Sequence, residues 1–84
     1  MSTGMAAVKA HALQKRITAE ADRIISSFAS SPNVKHRASN KVTKRILING
    51  PYLLNGRMWD VKAKSLGAGI YELSLVKYVE GKEN

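Results

Sequence analysis

Ser39-Asn40-Lys41-Val42-Thr43-Lys44-Arg45-Ile46-Leu47-Ile48-Asn49-Gly50-Pro51 is the stretch whose reading decides the fold of this chain. By composition its middle reads as a strand, because Val42, Thr43, Ile46 and Ile48 are β-branched. Its flanks read as a helix. Ser39 or Asn40 offers a side-chain oxygen to the free amides of a first helical turn. Gly50 stands where the residue after a helix often takes a positive φ, and Pro51 prevents continuation. A two-residue Asn-Gly hairpin turn would be followed at once by a proline with no N–H for the ladder. The flanks therefore favour a helix from residue 39 or 40 through about Ile48. On it Val42 and Ile46 face inward, while Lys41, Lys44 and Arg45 project together.

Upstream, residues 5–29 carry a longer amphipathic pattern without Gly or Pro. Ala10, Leu13, Ile17, Ala21, Ile24 and Phe28 recur at steps of three and four, which draws one apolar stripe, widened by Ile25. Arg16, Glu20 and Arg23 lie on another face at ion-pair spacing. The stripe lasts under four heptads. It suits packing on a core, or contact with a second copy or another protein through residues 10–28. Ser30-Ser31-Pro32-Asn33 ends the helix, and Val34 to Ala38, with Lys35-His36-Arg37, reads as an exposed loop.

Downstream the period changes from helical to alternating. Asn55-Gly56 is a hairpin signal between Tyr52-Leu53-Leu54 and Arg57-Met58-Trp59. From Met58 to Lys64, Trp59, Val61 and Ala63 share one face and Asp60, Lys62 and Lys64 the other. Ser65 to Gly69 reads as a flexible connection with two glycines able to take positive φ. Ile70 to Val79 is a second strand with apolar groups on both faces, as expected of a central or doubly covered strand. The plan is an α+β fold: a long N-terminal helix and a short second helix packed on a small antiparallel sheet. The long helix lays its stripe on the face bearing Trp59, Tyr71, Leu73 and Leu75. One domain spans 1–84, with frayed tails expected at 1–4 and 80–84.

Charge is the most informative global property. Fourteen lysine and arginine residues against six aspartate and glutamate give a formal net charge of +8. Between Arg23 and Trp59 there is no acidic residue, yet Lys35, Arg37, Lys41, Lys44, Arg45 and Arg57 lie there. Such a segment attracts polyanions through counterion release. Zero cysteines exclude disulfides and cysteine-ligated metal. His11 and His36 stand on different elements with no carboxylate pair beside them, so no metal site is expected. The glycines of Ser65 to Gly69 lack the spacing and the Lys-Ser/Thr pair of a phosphate loop. No spacing selects a catalytic triad or carboxylate pair. No cofactor, catalytic residue, transmembrane segment or signal peptide is expected, and the default location is cytoplasmic.

Three segments carry a family resemblance: Ile46-Leu47-Ile48-Asn49-Gly50-Pro51, Lys62-Ala63-Lys64-Ser65-Leu66-Gly67-Ala68-Gly69 and Ile70-Tyr71-Glu72-Leu73-Ser74. Residues 39–77 resemble the middle of RelE/HigB-type ribonuclease toxins of phages and prophages. The resemblance implies RNA-facing roles for Lys62 and Lys64. Ser74 stands where that family usually has an arginine, which points to a truncated or repurposed binding module over an active nuclease.

The expected function is a basic accessory protein, of phage or mobile-element origin, that binds RNA or DNA, or a ribonucleoprotein. It would contact backbone phosphates through Lys35, Arg37, Lys41, Lys44, Arg45, Arg57, Lys62 and Lys64. Tyr52 and Tyr78 are the aromatics freest to stack on bases. The alternatives are a protein-docking or inhibitor module using the helix stripe, and a toxin-like endoribonuclease.

Overall fold

The computed structural model describes residues 3–79, with side chains described from residue 11 onward. The side chain of Ala10 and the outermost tail positions, 1–2 and 80–84, lie outside the described residues. The element order is α1 (Thr3–Ser30), β1 (His36–Ser39), α2 (Asn40–Asn49), β2 (Tyr52–Leu54), β3 (Arg57–Gly67) and β4 (Ile70–Lys77). The four strands form one antiparallel sheet in the order β1-β4-β3-β2. Two helices on a four-stranded antiparallel sheet make the expected α+β fold.

Asn40–Asn49, rich in β-branched residues, is a helix. Ser39 caps it: its backbone is extended (φ −69°, ψ 166°), and its Oγ accepts from the Val42 amide at 3.3 Å. That bond satisfies one of the donors a helix leaves free in its first turn. Val42, Thr43 and Ile46 are buried beneath it. Its far end differs from expectation. Gly50 is extended (φ −74°, ψ 170°) and takes no positive φ. Pro51 follows it directly, and extended backbone is the conformation favoured for a residue before proline.

The second difference is β1. The charged run Lys35-His36-Arg37 leads into an edge strand, not a loop, with His36 opposite Leu73 and Ala38 opposite Tyr71 on β4. Alternation explains how so polar a segment enters a sheet. Ala38 points inward and is buried, and the His36 ring meets Phe28 edge-on at 4.8 Å. Arg37 points the other way.

The hairpins follow their turn chemistry. Asn55 (φ 53°) and Gly56 (φ 78°) both adopt the left-handed region that a two-residue primed turn demands. The expected connection at Ser65 to Gly69 is mostly strand: β3 continues to Gly67, with a register shift between Ser65 and Gly67, and Ala68-Gly69 makes the turn. Three consecutive residues there, Gly67, Ala68 and Gly69, have positive φ.

One core lies between the layers. Ala21, Ile24 and Phe28 of α1 and Val42 and Ile46 of α2 close on Ala38 and Leu73, with Tyr71, Val61 and Leu75 packed around them. Phe28, Ile24, Ile46 and Leu73 are fully buried, each worth about 1.5–3 kcal/mol of transfer free energy. The stripe of α1 is buried only from Ile17 onward; Leu13 remains 43% exposed. β4 is central, as its two apolar faces suggest, but among the described residues only its inner face is covered. Ile70 and Val76 on the other face are exposed.

Candidate nucleic-acid interface

The cations expected to act together fall into two groups on opposite sides of the molecule. The first is on α2. Lys41, Lys44 and Arg45, with Ile48, recur at helical spacing along one edge of α2, where it runs beside α1. Arg45 extends its guanidinium across the gap and donates to the side-chain oxygen of Gln14 on α1. The result is a groove of about 280 Å³ lined by Gln14, Ile17, Lys41, Lys44, Arg45, Ile48 and Asn49. Among the described residues no carboxylate lines it. Its lining offers ammonium, guanidinium and amide donors beside two isoleucine side chains, and such donors are the inventory that phosphate oxygens accept from.

A second concavity of about 240 Å³ shares Ile17 and is lined by Leu13, Arg16, Glu20 and Val42. It holds one acid, Glu20, which is already engaged. The Arg23 guanidinium hydrogen-bonds Glu20 and lowers its carboxyl below the ordinary value, while Glu20 raises Arg23 in return.

The second cationic group occupies the open face of the sheet. Strand register places Arg37 and Lys64 on either side of Glu72, and Lys62 opposite Ser74. Lys35, just ahead of β1, approaches the same carboxylate, with Nζ 3.9 Å from Oε1. Three cations thus surround one acid that is distant from two of them in sequence. Asp60 lies in the next row along β3. Arg57 is apart from both groups, at the β2–β3 turn opposite Leu54.

The aromatic residues divide differently from expectation. Tyr52 is not free to stack: its ring is half-buried and its hydroxyl donates to the Ile46 carbonyl at 2.8 Å, serving the C-terminal turn of α2. Burial, with a further contribution from the negative charge of Asp22, raises its pKa above 10.0. Trp59 is half-buried and donates its Nε1–H to the Leu54 carbonyl at 3.3 Å. Tyr78 is exposed, next to the start of β3, where its amide donates to the Met58 carbonyl.

Sequence reasoning missed Gln14, Ile17, Ile48 and Asn49 as groove residues. A signal was present for two of them, since Gln14 and Ile17 are three apart on α1 and so share a side. Which side faces α2 is decided by packing. Among the described residues no group of three or more His, Asp or Glu side chains is placed to hold a metal ion, and no helix is long and apolar enough to cross a membrane. Comparison with protein-family models, curated proteins and solved structures finds no match for this chain.

Proposed function

We propose that this protein is a small nucleic-acid-binding accessory module that holds the phosphate backbone of RNA or DNA in the groove between α1 and α2, without reading bases. The observation that carries this reading is the groove's lining: Lys41, Lys44 and Arg45 converge with two amide side chains, and no acid is among them. Three adjacent cations with no internal counterion repel one another, and a run of phosphates relieves that repulsion while releasing condensed ions to solvent. Arg45 offers more than charge. Its fork geometry permits two parallel hydrogen bonds to one phosphate, and its bond to Gln14 holds the guanidinium at the groove. Nothing in this lining distinguishes one base from another, so affinity is expected to track backbone charge.

The test is retention of labelled single- and double-stranded oligonucleotides over roughly 50–200 mM salt, with the Lys41→Ala/Lys44→Ala/Arg45→Ala variant alongside. Expected is a steep fall of affinity with salt, and a slope made shallower by about two to three in the variant. Binding that ignores salt, or none at the lowest salt, removes the proposal.

A second reading rests on a different observation. Leu13 belongs to the apolar stripe of α1 yet is uncovered, and Ile48 on α2 is 76% exposed. These side chains suit a protein surface that docks along the helix pair. Light scattering that shows a monomer at every concentration, together with no captured protein, removes it.

A further inference from the structure

The two long strands are not equally served by their neighbours. β4 is paired with β3 along its length and on its other side with β1 from Ile70 to Leu73, whereas β3, paired with β4 on one side, has on the other only β2, which covers Arg57, Met58 and Trp59. From Val61 onward that side of β3 has no partner strand among the described residues.

The ladder rule identifies which groups are left. In an antiparallel pair, the N–H and C=O of one residue point the same way, and successive residues alternate. Leu54 and Arg57 flank a two-residue turn, so Arg57 turns its backbone groups to β2, and Trp59, opposite Tyr52, does likewise. Met58 turns the other way, as its carbonyl confirms by accepting from Tyr78. Continuing the alternation, Lys62 and Lys64 bond to β4, while Val61, Ala63 and Ser65 direct their donors and acceptors outward. Their side chains face the helix layer; those of Lys62 and Lys64 are exposed on the open face.

We propose that this edge of β3 is a strand-addition site for an extended peptide segment with carboxylate side chains at alternate positions. The outward groups of Val61, Ala63 and Ser65 give main-chain pairing. Residues opposite Lys62 and Lys64 then meet an ammonium group each, the arrangement in which opposite charges across strands attract. A second copy of the chain fits poorly. Two-fold antiparallel registers centred on Lys62, Ala63 or Lys64 each set lysine directly opposite lysine. Lysines on a sheet edge discourage indiscriminate pairing, and here they leave an acidic strand as the favoured occupant. The site is separate from the groove between the helices, so it stands whether or not that groove binds nucleic acid.

The experiment uses the whole protein and three synthetic probes: a peptide alternating valine and glutamate, its valine–lysine counterpart, and the glutamate peptide N-methylated at alternate residues to remove its pairing donors. Calorimetry or NMR titration is expected to show the glutamate peptide binding at least about tenfold tighter than the lysine peptide, and the N-methylated peptide not binding. Ala63→Pro removes an outward N–H without touching the β3–β4 ladder, so binding is expected to fall about tenfold or more while the circular-dichroism spectrum is kept. Lys62→Glu/Lys64→Glu, which alters only exposed side chains, is expected to exchange the preference of the two plain peptides. Equal binding of the N-methylated peptide, or no binding of the glutamate peptide, overturns the proposal. So does a dimer that Ala63→Pro dissolves, which would give the edge to a second copy, or displacement of the peptide by an oligonucleotide in the Lys41→Ala/Lys44→Ala/Arg45→Ala background.

Discussion

The α2 edge and the open sheet face carry comparable numbers of cations, yet they are different electrostatic objects. On α2, Lys41, Lys44 and Arg45 line a concave surface that, among the described residues, holds no carboxylate. On the sheet, Lys35, Arg37 and Lys64 gather around Glu72. Along the chain all but Lys64 belong to one acid-free run. Folding divides that run, because strand pairing brings a glutamate from beyond it to one half and helix packing brings an amide to the other. Sequence charge density therefore overstates the positive field of the sheet face and represents that of α2 fairly.

The change with the largest expected effect abolishes the comparison altogether. Phe28→Ala empties a fully buried site where α1 meets the sheet beside β1. It is expected to cost about 3–5 kcal/mol, most of the stability of so small a domain. Urea denaturation that moves by less than half of this would mean the core relaxes around the vacancy. Next comes a direct contrast between the faces. Replacing Lys41, Lys44 and Arg45 with alanine should flatten the salt dependence of oligonucleotide binding by about two to three. The same treatment of Arg37, Lys62 and Lys64 should change the slope by less than one. Equal slopes would erase the distinction.

Tyr52→Phe tests the α2 side for stability. Loss of the bond to the Ile46 carbonyl should cost about 1 kcal/mol near neutral pH. The folded-state pKa of Tyr52 is raised by burial from 10.0. The protonated form therefore stabilises the fold fully below pH 10, and that contribution fades as pH rises through the folded value. The two proteins should converge in thermal midpoint above pH 10, and a gap that widens there contradicts the burial argument. Glu72→Gln has the smallest stability effect, within about 0.5 kcal/mol, since Lys35 is exposed, Glu72 is only partly buried and the pair is long at 3.9 Å. Its value lies elsewhere. With the acid gone, the sheet face should gain affinity for polyanions by a few-fold, in the direction of α2.

Much of the fold was legible because local chemistry agreed with the final packing. Ser39 caps α2 as its side chain suggests, Asn55-Gly56 makes the turn its dipeptide announces, and the buried face of α1 follows its period. What escaped was decided at long range. Lys35-His36-Arg37 looks like solvent-exposed loop because only Ala38 of β1 is buried, and the pairing of that strand to residues 70–73 has no local signature. Gly50 was assigned a positive φ by its place after a helix, and the proline that follows it prevailed. The candidate site was legible in its cations and not in its grouping. Strand register tied Arg37 to Glu72, and the packing angle of the helices brought Gln14 to Arg45.

Ser39 belongs to two elements at once. It closes β1 opposite Ile70 and also caps α2, while the neighbouring Asn40 amide donates to the Gly69 carbonyl at 3.1 Å. No linker separates strand from helix, so β1 cannot peel away without unravelling the first turn of α2. The amides of both should exchange with deuterated solvent as one opening unit, at a common free energy. The weakest-looking strand thus borrows its persistence from the helix it is welded to.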